Sequence, residues 1–327
     1  MSTLLTFVLP MYNVEKFIER CLESIYSQKG VSTDRFDVVL VDDGSPDRSA
    51  RIAEEWLASR NITNALIVRQ ENLGLGGARN TGLDHVKTPF VWFVDTDDYI
   101  PDDALSSILP LLTDDVDLLT FYSADVAGDD PVDAVTIAPY EALPERLTGP
   151  ELLQCIDLRP CPPLAVIRKS ILDENGIRFV PRLFHEDFEM TPRLLHFVKG
   201  VRILKEAKYF TRFNPDSITR SVNYKKNFDL IKVANSLDVF SNRRDLTDAE
   251  RTAYSSFISI ALNSALLDSA AMPDAVRSEL GEKLYENRRL LRHFRKSALS
   301  KHRVEGLLFS LSPRKIIPIY NLLAKLV

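Results

Sequence analysis

Residues 90–99 read Phe-Val-Trp-Phe-Val-Asp-Thr-Asp-Asp-Tyr, and this stretch constrains the fold more than any other in the chain. Five consecutive apolar residues rich in β-branched and aromatic types predict a strand buried on both faces. The next four positions bring three carboxylates, Asp95, Asp97 and Asp98, to its C-terminal end. Acids this close repel one another unless a cation, protons or water neutralise them, and hard divalent cations favour oxygen ligands. The combination predicts an α/β sheet with a metal site at its rim. Because Pro101-Asp102-Asp103 reads as a helix start, a plainer reading stays open in which one Asp is a cap.

The residues before this strand alternate between strand and helix patterns. Residues 4–9 form a short apolar run stopped by Pro10, and Val14, Phe17, Ile18, Cys21, Leu22, Ile25 and Tyr26 then recur at helical spacing up to Gly30. Residues 36–41 make a second strand ending in Asp42-Asp43-Gly44. Ser45-Pro46 reads as an N-cap with proline at the first helical position, followed by a stripe of Ala50, Ala53, Trp56 and Leu57. A third strand spans residues 65–68, and the glycine-rich Asn72-Leu73-Gly74-Leu75-Gly76-Gly77-Ala78-Arg79-Asn80 leads into another helix. This alternation predicts a doubly wound, mostly parallel sheet, whose ligands bind beyond the carboxyl ends of the strands. Those ends carry Tyr12-Asn13, Asp42-Asp43 and the acids from Asp95 to Asp98. An aromatic ring, a carboxylate that accepts an N–H and a metal-binding cluster together suit a nucleotide diphosphate. Taken singly, each of these residues also fits an ordinary turn or cap.

Three rival motifs compete. Gly74-Leu75-Gly76-Gly77-Ala78-Arg79 has the setting of a dinucleotide fingerprint, which would make the chain an NAD-dependent dehydrogenase, but the third glycine position holds the bulky Arg79. Asp95-Thr96-Asp97 has the spacing of aspartyl-phosphate phosphatases, which expect a small hydroxyl or aliphatic residue where Tyr99 stands. A calcium loop from Asp95 would need Gly at Ile100 and Glu at Ser106, which excludes it.

Leu9-Pro10-Met11-Tyr12-Asn13-Val14-Glu15-Lys16-Phe17-Ile18, Val41-Asp42-Asp43-Gly44-Ser45, Ala78-Arg79-Asn80-Thr81-Gly82 and Val94-Asp95-Thr96-Asp97-Asp98-Tyr99 together resemble the ordered motifs of the family 2 glycosyltransferases with the GT-A fold. The resemblance is close over about the first 125 residues and looser to about Ser221. It implies inverting transfer of a sugar from a nucleotide diphosphate-sugar to an acceptor hydroxyl. By the same resemblance Tyr12 and Asp43 contact the nucleobase, Pro10 lines that pocket and Arg79 lies near the donor. Asp95 holds the ribose or sugar, Asp97 ligates Mg²⁺ or Mn²⁺, and Asp98 supports it as a further metal-site acid. The Glu186-Asp187 pair looks like the family's E-D motif, which makes Asp187 the catalytic base. His185 is the second choice. A helix following this pair accommodates Pro192 only in or near its first turn, which sets the expected start at residues 185–188. In the competing reading, Asp187 or Glu186 only caps that helix.

Further strands are expected at residues 116–122 and 208–213, with a surface excursion at residues 125–145. Pro160-Cys161-Pro162-Pro163 resembles the family's acceptor-side segment, and a turn is expected at residues 214–219. Arg212, Arg220 and Lys225 are candidates to meet a phosphate, with solvated surface charge as the alternative. From residue 228 the pattern is helical. The expected division is a GT-A domain over residues 1–225, with a nucleotide-sugar half at 1–100 and an acceptor half at 101–225, followed by a helical region at 226–327.

Charge sharpens the last segment. The chain of 327 residues carries −5, yet residues 283–327 hold eleven Lys or Arg against two acids, a local +9 that leaves −14 elsewhere. A basic, aliphatic tail of this kind predicts contact with an anionic membrane surface, with dimerisation or core packing as the alternative. No signal-peptide pattern opens the sequence, and Cys21, Cys155 and Cys161 lack metal-ligand spacing, so a reduced, cytoplasmic setting is expected, peripheral on the inner face of the cell membrane. The acceptor implied by family and tail together is a lipid-linked glycan of a surface polysaccharide, with no nucleic-acid partner. A non-catalytic sugar-nucleotide-binding protein is the remaining alternative; loss of the D-x-D or of the downstream base would mark it, and both are present.

Overall fold

The computed structural model describes residues 3–127, 135–155, 162–213 and 223–324. Cys161, the 214–219 turn, Arg220 and the last three residues of the tail lie outside the described residues. Two compact units form. The first holds the chain to Leu152 with residues 162–182 and 194–213, and the second holds residues 153–155, 183–193 and 223–324.

The first unit is built on one sheet of β1 (Leu5–Met11), β2 (Phe36–Asp42), β3 (Ala65–Arg69), β4 (Phe90–Phe93), β5 (Leu118–Val126), β6 (Val135–Ile137), β7 (Arg146–Leu147), β8 (Ala165–Arg168) and β9 (Val201–Arg212). Its strand order is β3-β2-β1-β4-β8-β5-β9-β7, with β6 beside β5. The pairs among β3, β2, β1 and β4 are parallel, as the alternating pattern predicts. Beyond β4 the sheet is mixed, because β8 runs antiparallel to both its neighbours while β5 and β9 are parallel.

Helices α1 (Ile18–Tyr26), α2 (Ser49–Ser59), α3 (Gly74–His85), α4 (Ala104–Ile108), α5 (Gly149–Leu153) and α6 (Lys169–Glu174) connect these strands. An aromatic core joins them: Trp92 is fully buried, 5.3 Å from the Phe7 ring and 5.0 Å from the Phe121 ring. Its Nε1 donates to the Pro163 carbonyl at 2.7 Å, which satisfies the one polar atom the ring buries. Cys21 packs in this core as a small apolar residue. On the other sheet face, α3 approaches β1 closely enough that a Cβ on Gly82 would lie 2.3 Å from Val8 Cγ1.

Three local expectations are corrected. β1 does not stop at Pro10 but runs through it, with Pro10 opposite Val41. Its missing N–H faces the β4 side, where pairing has ended at Val8 and Phe93, so no ladder bond is lost. The helix after β2 starts at Ser49 rather than Pro46, because the Asp42 carboxylate draws in the Ser45 N–H at 3.0 Å and closes a turn first. Asp47 then accepts from the Ser49 N–H, also at 3.0 Å. α1 begins at Ile18, so Val14 and Phe17 belong to the loop before it.

The second unit holds the first turns of α7 (Glu186–Phe197), followed by α8 (Lys225–Ser241), α9 (Asp248–Leu266), α10 (Asp274–Glu286), α11 (Arg292–Lys296), α12 (Ser300–Leu311) and α13 (Ile316–Leu323). Thr247 and Glu250 form a reciprocal capping box at the start of α9, satisfying two backbone donors. α7 starts within the expected residues 185–188, yet Pro192 falls inside it rather than in its first turn. The buried Tyr254 hydroxyl donates to the Pro192 carbonyl at 2.8 Å, a tertiary contact that helps hold this part of the helix. Among the described residues, no helix is long and apolar enough to cross a membrane.

Candidate active site

The carboxyl ends of β1, β2 and β4 are laced together by backbone and side-chain bonds. After β2, the Asp43 N–H donates to the Met11 carbonyl at 2.9 Å. After β4, the Thr96 hydroxyl donates to the Pro10 carbonyl at 2.7 Å. The predicted donor-site residues Pro10, Asp43, Arg79, Asp95, Asp97 and Asp98 therefore gather at one rim of the first unit's sheet. Tyr12 follows immediately, its ring about half exposed beside Asn13, which adopts the left-handed backbone at φ 57°.

Each acid is held differently. Asp43 is 3% exposed, and its Oδ1 accepts from the Gln70 side chain and from the Leu73 N–H, both at 2.7 Å. Asp95 is partly exposed and receives the buried Arg79 guanidinium at 2.6 Å. Asp98 is buried: its Oδ2 accepts from the Tyr209 hydroxyl at 2.8 Å and its Oδ1 from the Arg212 N–H at 2.9 Å. The same Tyr209 oxygen accepts the Asp95 N–H at 3.2 Å. Asp97, between them, is half-buried. Burial, then the charges of Asp97 and Asp95, push the Asp98 carboxyl well above the usual carboxylate range. Burial first, and then Asp98, Asp97 and Asp95, likewise raise the Cys21 thiol behind them.

The glycine-rich segment is the first turn of α3 itself. Gly74 takes a φ of +75° where its Cα side faces Arg182, 3.2 Å from a would-be Cβ, and the Arg182 N–H donates to the Leu73 carbonyl at 2.9 Å. The close helix–sheet approach that a dinucleotide fingerprint assigns to its third glycine is made here by Gly82, while Arg79 is turned to Asp95.

Sequence reasoning missed several partners. Tyr209, Gln70 and Thr96 position the acids, and Asn80 pairs with both backbone groups of Phe179 at 2.8 and 2.9 Å. The available signal for Tyr209 was a tyrosine in a strand that mixes charged and apolar residues, whose hydroxyl needs a partner once buried. Arg212 stacks over the Phe17 and Tyr99 rings at 5.1 and 5.5 Å, and Lys225 pairs with the buried Asp229.

In the second unit, Asp187 lies in the first turn of α7 with Glu186 and Glu189, where the helix dipole favours negative charge. Asp187 Oδ1 accepts from the Phe188 N–H at 2.7 Å. Glu186 and Glu189 are buried, and Glu189 pairs with Arg193 at 2.6 Å. His185 sits just before the helix at φ 62°; burial, then Lys226, lower its pKa.

A sequence model of glycosyl transferase family 2 matches residues 6–176. The chain belongs to that family. Family membership replaces the dehydrogenase alternative. Among relatives, the uncharacterized glycosyltransferase EpsJ of Bacillus subtilis is 30% identical over 243 residues, 70% of this chain and 66% of EpsJ. The chain spans 62% of a second Bacillus subtilis relative, the putative glycosyltransferase EpsH. Residues 1–349 of Staphylococcus aureus TarS, solved in complex with UDP-GlcNAc, superpose with a TM-score of 0.76 at 21% identity, covering 97% of this chain and 91% of that one. A mannosyltransferase from Pyrobaculum calidifontis, solved with GDP-Man and Mn²⁺, gives a TM-score of 0.55 at 17% identity, covering 96% and 88%. At these identities the structural likeness establishes the fold, which is the family's GT-A arrangement.

Proposed function

We propose that this chain is an inverting, metal-dependent glycosyltransferase that moves a sugar from a nucleotide diphosphate-sugar to an acceptor hydroxyl. What carries the reading is the set of acids at one sheet rim, each fixed by a different partner: Asp43 by Gln70, Asp95 by Arg79, Asp98 by Tyr209. Charge held in place before substrate arrives costs no reorganisation during reaction. The exposed Tyr12 ring and the buried Asp43 carboxylate bind the nucleobase, with Pro10 lining the same pocket. Asp95, steadied by Arg79, receives the ribose or sugar hydroxyls. Asp187 takes the proton from the acceptor hydroxyl as it attacks.

The acids fit a divalent ion in a specific way. Both Asp98 oxygens already accept hydrogen bonds, so Asp98 braces the site and Asp97 is the ligand of Mg²⁺ or Mn²⁺. Among the described residues no group of three or more His, Cys, Asp or Glu could hold a metal unaided. That suits an ion bound by one or two carboxylates plus substrate phosphates. When bound, it neutralises charge on the diphosphate leaving group. The Mn²⁺ complex of the Pyrobaculum mannosyltransferase supports this.

The acceptor we propose is a lipid-linked glycan of a cell-surface polymer, met at the inner face of the membrane. Among relatives, TarS is named a poly(ribitol-phosphate) β-N-acetylglucosaminyltransferase and is 27% identical over 250 residues, 41% of its length. The C-terminal helices bury one face and leave another apolar and exposed. On α12, His302, Glu305 and Phe309 are buried, while Val304, Leu307 and Leu311 are 58, 54 and 82% exposed. One face thus packs inward and the other offers an apolar stripe suited to a membrane interface.

Nucleotide release should be measured with a panel of nucleotide sugars and Mg²⁺ or Mn²⁺, beginning with UDP-GlcNAc. One donor is expected to give metal-dependent release; absence of metal-dependent binding to every nucleoside diphosphate would sink the reading.

A further inference from the structure

In the second unit, Arg288, Arg289, Arg292, Arg295 and Lys296 line one cavity of about 580 Å³. Five cations in nine residues around a concavity need counter-charge, and the fold supplies little. The buried Asp238 is the acid they reach, at 2.7 Å from Arg292 and 3.6 Å from Arg289. It is shared with His293, whose Nε2 lies 2.7 Å away and whose pKa is lowered by burial despite the pull of Asp238. Arg288 lies over the Tyr285 ring at 4.7 Å. Among the described residues Arg295 and Lys296 have no acidic partner, and both are exposed. Guanidinium groups around a hollow match phosphate oxygens in charge and geometry.

The mouth of the cavity narrows the choice of anion. Ser310 of α12 lines it, and Leu307 and Leu311 lie three residues before and one residue after on that helix, both exposed. Val304 continues the stripe one turn earlier. A soluble phosphate compound has no use for a row of solvent-facing leucines beside its site. An acyl chain does.

We infer that this cavity binds the phosphate headgroup of an anionic phospholipid while Leu307 and Leu311 enter the acyl boundary. The site deepens the membrane reading proposed above by giving it a place and a lipid chemistry. It differs from attraction of a basic tail alone in requiring Leu307 and Leu311 as well as the cations.

The test is flotation of the full chain with phosphatidylcholine vesicles and with vesicles also containing phosphatidylglycerol. Two variants alter exposed residues only: Arg295→Gln with Lys296→Gln, and Leu307→Ser with Leu311→Ser. Circular dichroism melting confirms that each is folded, and calorimetry with the nucleotide sugar reads the donor site separately. The parent should float with the anionic vesicles and not with the neutral ones. The charge variant should lose roughly thirtyfold in partitioning, the effect of two cations near an anionic leaflet. The leucine variant should also fail to float. Equal flotation on neutral vesicles, or undiminished flotation of either variant, would overturn the site. So would binding of inorganic phosphate that the charge variant loses while the leucine variant keeps full vesicle binding, since that marks a soluble-anion site. A parent that floats as expected but binds no donor would leave this site standing and remove the glycosyltransferase reading.

Discussion

The acids at the end of β4 and the cations around α11 are both dense clusters of like charge, yet the fold treats them in opposite ways. Asp95 and Asp98 are fixed by residues distant in sequence, Arg79 and Tyr209, and Asp98 is buried. Arg295 and Lys296 are exposed, and the one buried acid of their cluster, Asp238, is taken by Arg289, Arg292 and His293. Charge held in a low-dielectric setting has a defined direction before any ligand arrives, whereas exposed cations keep their charge open to an incoming anion. The first arrangement suits chemistry on a leaving group and the second suits docking.

Substitutions should separate the two. The largest effect is expected outside both clusters: Asp187→Asn should leave donor binding intact and slow transfer by roughly 10²–10⁴-fold, the usual contribution of a general base. Single-turnover transfer measured beside donor calorimetry checks it, and near-parental transfer would remove Asp187 from the role. Next, Arg79→Met should destabilise the chain by roughly 2 kcal/mol, below the range for a fully buried pair because Asp95 keeps contact with water. Arg295→Gln should change stability by less than about 0.5 kcal/mol. Urea unfolding of both reads the contrast directly, and equal losses would erase it.

Tyr209→Phe removes the hydroxyl that serves both Asp98 and the Asp95 N–H, and should cost roughly 1–2 kcal/mol by the same measurement. An effect read in pH dependence concerns His302, whose pKa burial and then Lys301 lower from 6.5 to about 4. The unfolded chain binds the extra proton between those values, so this contribution is complete above about pH 6.5 and is lost as pH falls toward 4. Thermal melting of His302→Gln across that window should show a shallower acid loss than the parent; identical slopes would assign the loss elsewhere.

Much of the first unit was legible because its cues are local. Apolar runs with polar residues at their ends placed β1, β2 and β4, and Ile18, Cys21, Leu22 and Ile25 of α1 and the whole α2 stripe are buried as spaced. What the chain order hid was long-range. Tyr209 meets Asp98 from 111 positions away, and no pattern within β9 names that partner. The insertion of β8 antiparallel between β4 and β5 depends on pairing that periodicity does not encode. Pro10 and Pro46 misled for one reason: proline was read as a local stop or start, whereas pairing geometry on one side of β1 and a carboxylate at Asp42 decided the outcome. For the tail the sequence left membrane contact and core packing as alternatives, and the burial of Phe309, Ile316 and Ile317 is fixed by tertiary packing that the local pattern does not encode.

The donor site itself is tested most directly by calorimetric titration of a nucleotide diphosphate-sugar, UDP-GlcNAc first, with and without Mn²⁺, into the parent and into Asp97→Ala. Binding that requires the metal in the parent and disappears in a folded Asp97→Ala variant is the expected result. Metal-independent binding, or binding that Asp97→Ala retains in full, would contradict the assignment of Asp97 and with it the reading of the acids at the end of β4.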